Sequence, residues 1–357
     1  MNYTSRTPRN LTRLPKVAAA FAVVAVLFGS IAGNSLVLPA LADNGNGNST
    51  SNANNLQQLK QQIQQDQSAY RQALQQEQNA TKQARQTLRQ TLQQDEQAYN
   101  QAVQQADSAY KQSVQQANTE QGQTVQNATL AYNQAVQQAR QAYSTAVKGL
   151  HGNASIIGQA MATRDQAISD ATIAKINAVT SANAGRDKTV YSSWYAHQTD
   201  VYSALATRDG ADGTAQATFY TAIGNSTLAA RAQAIGQAHV TADDSILQAR
   251  QARINAAGNA TVTRDQSIGT AQTTYVTAET NARVALDQGY TTNPKAWNTD
   301  LQTYWSTVAP LIQTEDGSIA QANAALTTAM GSADSARDQA IDQAYATMYG
   351  AIAAAYS

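Results

Sequence analysis

Cysteine is absent from the 357 residues, which excludes disulfides, thiolate metal sites, cysteine nucleophiles and a lipidated N-terminal cysteine. Charge is scarce too: only 13% of residues are charged, 24 Lys+Arg against 24 Asp+Glu. After residue 42 there remain 20 positive and 24 negative side chains, a net of −4 that is too small to imply a polyanionic partner. Large apolar side chains are few. Ile, Leu, Val and Phe number 57, and 43 of them fall in the 315 residues after position 42, about 14%. An ordinary packed core becomes doubtful below ~20%, so a conventional globular enzyme is not expected. Proline does not occur between Pro39 and Pro294, and Gly122 is the only glycine in 56–147. Nothing there interrupts a helix.

What is present begins with a targeting signal. Arg6, Arg9, Arg13 and Lys16 precede the apolar run Val17–Gly33, and no charge follows until Asp43. Ala40 and Ala42 supply small residues at the −3 and −1 positions of a signal-peptidase site, so residues 1–42 read as a cleaved signal peptide. The alternative is an uncleaved anchor, with membrane contact through residues 17–42. The bulk of the chain is expected to be secreted or to lie in the periplasm or cell envelope. Residues 43–55, rich in Asn, Gly and Ser, read as a flexible linker.

An eleven-residue repeat organises the rest. Residues 56–147 hold 30 Gln, with an explicit apolar period running through them. Val103, Val114, Val125, Val136 and Val147 are eleven apart, and Ala106, Ala117, Ala128 and Ala139 follow three later. Tyr99, Tyr110, Tyr132 and Tyr143 precede their valines by four, with Gln121 in the missing slot. The 4-3-4 spacing lays one stripe along a helix, because eleven residues make about three turns with only ~20° of drift. Partner helices then wind nearly straight or slightly right-handed. So poor a helix in charge pairs is not self-sufficient, and its stripe must face something.

The period returns downstream. Ile157, Ile168, Val179, Val190 and Val201 form one series, which Asp212 interrupts and Ile223 resumes. Ile235, Ile246, Ala257 and Ile268 form another, and Ile319, Met330, Ile341 and Ile352 a third, shadowed by Ala322, Ala333, Ala344 and Ala355. Arg-Asp recurs at 164–165, 186–187, 208–209, 264–265 and 337–338. The repeat predicts an all-α fold of elongated, coiled-coil-like helices arranged as hairpins or a bundle. Slips in phase predict the bends: Gly149–Asn153, Asp209–Gly213, Gly224–Ser226, and Gly289–Pro294 with Asn293 as N-cap and Pro294 as first helical residue. Long helices are expected at 56–148, 155–209, 214–288 and 318–356, with a short one at 294–309. The chain divides accordingly into a Gln/Ala-rich helix (56–148), an Ala/Thr-rich repeat region (149–289), an aromatic loop with a short helix (290–317) and a C-terminal helix (318–357).

Chemical groups are sparse. His151, His197 and His239 lie far apart in sequence; His239 and Asp243 share a helix face at i,i+4, a pair that reads as solvated polar surface rather than a metal site. Asp243-Asp244 and Glu315-Asp316 point about 100° apart on a helix and form no catalytic dyad. The Arg-Asp pairs read as surface pairs flanking the stripe and fixing register between helices. No catalytic, cofactor or metal site is expected, and unclustered basic residues argue against nucleic acid. One local anomaly is aromatic: Trp194 and Tyr195, then Tyr290, Trp297, Tyr304 and Trp305, a candidate interaction surface for a sugar or peptide. Trp297, Leu301, Tyr304 and Trp305 fall at i, i+4, i+7 and i+8, one apolar face that equally suits capping a thin bundle.

Three functions follow as expectations. The first is an exported, non-enzymatic rod that serves as spacer, stalk or matrix component, partnered by helices of its own chain or of a second copy. The second is an amphipathic lipid-surface protein: the eleven-residue repeats resemble those of exchangeable apolipoproteins and, less closely, of late-embryogenesis-abundant proteins. That resemblance is one of period, covers about three-quarters of the chain and carries no functional residue across. Flanks of Gln in place of Lys/Arg and Glu, and a stripe of Ala and Val, depart from it. The third is a carbohydrate- or peptide-binding module centred on the tryptophans.

Overall fold

A computed structural model describes residues 49–149 and 153–357, with side chains from residue 55 onward. Residues 1–42, expected to be a signal peptide, and His151 lie outside the described residues. The chain divides into two units, Met1–Arg71 and Gln72–Ser357. The fold is all-α, with no strand among the described residues: α1 is Ser49–Val147, α2 Ala154–Ala222, α3 Ser226–Thr292 and α4 Trp297–Tyr356, with a 3₁₀ turn at Pro294–Ala296. Helix begins at Ser49, inside the segment expected to be linker, because Ser, Thr and Asn are tolerated in a helix that continues into Gln-rich sequence. In the first unit this helical stretch leaves Leu56, Leu59, Ile63 and Tyr70 exposed.

In the second unit the helices pack in chain order, α1 on α2, α2 on α3 and α3 on α4. The turns follow from local chemistry. Gly149 ends α1 at φ +80°, and Asn153 caps α2 by accepting the Ile156 N–H at 3.3 Å. At the end of α2, Gly224 takes φ +75°. Its N–H donates to the Thr221 carbonyl and the Asn225 N–H to the Tyr220 carbonyl, the paired bonds of a Schellman ending. Asn225 then caps α3 by accepting the Leu228 N–H at 2.9 Å. Two helices thus meet across three residues. Asn293 closes α3 through its backbone N–H to Gly289 but makes no side-chain cap, and Pro294 opens the 3₁₀ turn instead.

Two expected interruptions are corrected. α2 runs unbroken through Asp209–Gly213, because Gly213 is not a chain breaker here but the point where α2 touches α3: a Cβ on it would lie 2.7 Å from the Gly236 Cα. The last helix likewise runs through Pro310 and Gly317, so the helices expected at 294–309 and 318–356 are a single one, Trp297–Tyr356, preceded by the 3₁₀ turn. Pro310 lies on the exposed side, where water can satisfy the carbonyl it leaves unpaired.

Burial follows the stripe on α1, where Ala106, Ala117 and Ala139 are buried, the valines half-buried and Gln104, Gln115 and Gln126 exposed. On α2 it departs from the sequence reading. The isoleucine and valine series is half-buried, and the deepest residues are Gly158, Asp165, Ser169, Asp187, Gln198 and Gly213. α2 has a neighbour on each side, so its single apolar series falls between two seams. α3 is the most buried helix, and Ile254 is fully inaccessible. Alanine, glycine and threonine dominate its contacts, allowing close backbone approach where bulk is lacking.

Candidate functional site

The α1–α2 seam carries a ladder in steps of eleven. Arg164 lies 4.7 Å over the Tyr143 ring, Lys175 5.1 Å over Tyr132, and Arg208 4.7 Å over Tyr99. His197 stands 5.6 Å from Tyr110 between them. Where Gln121 replaces the tyrosine, its amide donates to the Asn183 side chain at 2.9 Å. Positions 164, 175, 186, 197 and 208 are all cationic or imidazole and all eleven apart, a series that sequence reading missed. Each exposed cation–π contact contributes ~0.5–1 kcal/mol, so the ladder fixes register more than it supplies stability. Asp107 anchors one rung by bonding the His197 Nε2 at 2.8 Å, and the Gln198 amide reaches the other ring nitrogen at 3.1 Å.

At the α3–α4 seam, Arg253 joins three helices. Its guanidinium sits 5.0 Å over Trp194 of α2 and its Nε donates to Asp334 of α4 at 2.8 Å. That hydrogen bond holds the Asp334 carboxyl below its usual range. Arg231 reaches the Ala355 carbonyl at 2.8 Å and lies 4.5 Å over Tyr356.

The six aromatic candidates separate into two places. Trp194 and Tyr195 are half-buried in the middle of α2, Trp194 opposite Arg253. Tyr290, Trp297, Tyr304 and Trp305 gather at the α3–α4 turn, 37 residues further along α3, or about 55 Å. Tyr290 and Trp297 meet edge-on at 5.5 Å, and Tyr304 and Trp305 at 5.1 Å. Tyr304 is buried with Leu286 and Val308, and Trp297 and Leu301 pack against that cluster. The Tyr304 hydroxyl donates to Glu279, whose carboxylate also pairs with Arg283 at 3.1 Å. Trp305 does not join this face, being 58% exposed. The aromatic residues here close the turn, leaving one ring to solvent.

His239 approaches Asp209 at 3.9 Å. No group of three His, Asp or Glu residues suited to a metal occurs among the described residues. The Arg-Asp pairs are another correction. Asp165, Asp187 and Asp265 are buried, each bonded by the arginine before it, and only Asp338 is the surface partner expected of all five. An arginine stem covers its own aspartate and lets it sit inside the seam. Grooves along the seams are walled mostly by small side chains; one of about 590 Å³ lies between α3 and α4 against Ala238, Ala242, Ala344 and Met348. No helix among the described residues is long and apolar enough to cross a membrane.

No protein-family model matches this chain, and neither a curated protein nor a solved structure is matched by it.

Proposed function

We propose that this chain is an exported, non-enzymatic structural or interaction protein, a helical rod serving as spacer, stalk or matrix component of the cell envelope or its surroundings. The observation that carries the reading is the constant register. The α1–α2 and α2–α3 seams of Gln72–Ser357 repeat their contacts at multiples of eleven residues, and across α1–α2 polar pairs on successive repeats hold that register. Residues that elsewhere would build a cleft are spent on aligning long helices. From Ala106 to Ala139 the alanine line of α1 is buried or half-buried alongside the α2 contacts, so that stretch of the apolar stripe, which lipid adsorption would require, is already occupied by protein. Exposed tyrosines on α4, Tyr345, Tyr349 and Tyr356, offer contact area to a partner or a second copy.

Sedimentation velocity with multi-angle light scattering on the exported chain tests this. A species with a frictional ratio well above that of a sphere, and helicity unchanged by anionic vesicles, is expected. A near-spherical particle, or helicity that forms only on vesicles, refutes it.

A further inference from the structure

The α2–α3 seam holds aspartates in facing pairs, and their spacing is regular. Asp165, Asp187 and Asp209 lie twenty-two apart on α2; Asp287, Asp265 and Asp243 lie twenty-two apart on α3, running the other way. The antiparallel register set by Ser169–Thr280, Thr180–Gly269 and Gly213–Gly236 brings them together two by two. Asp165 and Asp287 are within hydrogen-bond reach, as are Asp187 and Asp265, and Asp209 bears on Asp243. Successive pairs are separated by about 33 Å of helix. The intervening positions are Ile176 with Val276 and Gln198 with Ile254, so acidic pairs alternate with positions that carry at least one aliphatic residue.

The arginines do not neutralise these pairs fully. Arg164, Arg186 and Arg208 each bond the α2 member of their pair. On α3, Asp287 and Asp243 have no such neighbour in sequence, and all three α3 members keep a buried Oδ2 with no hydrogen-bond partner. Asp287 is only 2% exposed. An orphaned carboxylate oxygen beside a second carboxylate is what a proton removes: one carboxyl becomes a donor and the other its acceptor.

We propose that each facing pair holds one proton shared between its two carboxyl groups, which makes the α2–α3 seam a proton-loaded zipper that tightens on mild acidification and loosens in alkali.

The surroundings of each pair support the assignment. The Asp165–Asp287 pair faces Arg164, with Tyr143 of α1 beneath it, and Arg283 at 4.0 Å, which is itself bound by Tyr304 of α4. Arg186 and Arg264 flank Asp187–Asp265. Asp209–Asp243 faces Arg208, His239 and Asp244, with Glu96 and Tyr99 of α1 on the arginine. A fourth acidic pair, Asp95 with Asp212, lies beside it across the α1–α2 seam, and each member has a buried oxygen without a partner. Burial, then the facing carboxylate, pushes Asp243 up to about 7 and Asp287 to about 6, and burial raises Asp187 as well. In the unfolded chain these groups titrate near ~3.9. Folded carboxyls that titrate higher take up protons on folding, so stability rises as pH falls from about 7.5 towards 5 and levels off near the unfolded value. Acid denaturation of ordinary paired carboxylates runs the opposite way.

The test is thermal unfolding of the full chain followed by circular dichroism between about pH 8 and pH 5. The expected result is a transition temperature that rises on acidification. Asp243→Asn, Asp265→Asn and Asp287→Asn, singly and together, should raise the transition at alkaline pH and flatten its pH dependence, since an amide is a permanent donor. Asp342→Asn, on the exposed face of α4, should change neither. If the triple variant does not fold, the infrared carbonyl band of a protonated carboxyl in the wild-type chain near pH 6.5 is the second readout, and each single variant should diminish it. A transition that falls from about pH 8 to 5, the same pH dependence in the Asn variants, or no protonated-carboxyl band overturns the proposal. So does stabilisation by calcium at alkaline pH equal to that by acid, because a cation would then fill the pairs.

Discussion

Replacing Gly213 with alanine isolates close helix approach from helix propensity. On an exposed helical site this change is favourable by roughly 0.5–1 kcal/mol, because alanine loses less backbone freedom. Gly122 is such a site, with nothing within 4 Å of an added Cβ. At Gly213 the added carbon meets the Gly236 Cα at 2.7 Å and the Ala232 carbonyl oxygen at 3.3 Å. Carbon atoms prefer 3.5–4.0 Å, and no rotamer can relieve a contact with backbone, so α2 and α3 must separate locally by about 1 Å. Overpacking of this kind costs ~1–3 kcal/mol, enough to outweigh the propensity gain. Urea unfolding monitored by circular dichroism should therefore place Gly122→Ala above wild type and Gly213→Ala below it, about 1–3 kcal/mol apart. Gly236→Ala should match Gly213→Ala, its Cβ falling 2.8 Å from the Gly213 Cα. If Gly213→Ala proves as stabilising as Gly122→Ala, the two backbones do not touch and the seam has been misplaced.

Other perturbations reach other seams. Arg253→Ala removes the contact that spans α2, α3 and α4, and calorimetry should show a loss of about 1–3 kcal/mol, with the Asp334 carboxyl returning towards its usual range by NMR titration. Asp334 titrates low when folded, so its contribution is present above the ordinary carboxylate range and is lost as pH falls through its folded value. A double-mutant cycle on Tyr99→Leu and Arg208→Gln should return a coupling of roughly 0.5–1 kcal/mol, and the same Tyr99 change paired with Arg186→Gln, two repeats away, should return none. Asn225→Ala should lose about 1 kcal/mol in chemical denaturation by uncapping α3.

The sequence carried the helices and most of their ends, because phase slips coincide with real turns at Gly149, Gly224 and Pro294. It misled at Asp209–Gly213, where glycine serves contact between helices, a role that single-chain patterns do not distinguish from a break. The tyrosine–cation ladder was legible only in halves. Its tyrosines lie on α1 and its cations, of three residue types, on α2, so the pairing needs the hairpin register before the second series acquires meaning. The aspartate pairs were hidden by a sound default: a charged residue beside an arginine is normally solvated. Their burial depends on α3 presenting three more aspartates at the matching spacing, which again is a property of two helices together. Aromatic residues close in composition proved about 55 Å apart, since Trp194 faces Arg253 while the others close a turn.

Register is the central claim, and the lack of cysteine makes it directly measurable. Ser169 and Thr280 place their hydroxyl oxygens 2.7 Å apart across α2 and α3. The full chain carrying Ser169→Cys and Thr280→Cys should form an intramolecular disulfide under mild oxidation, seen as a shifted monomer band on a non-reducing gel. Ser169→Cys with Thr291→Cys, one repeat out of step, should remain as free thiols. Equal cross-linking of the two pairs, or cross-linking only into dimers, would contradict an in-register pairing of these helices within one chain.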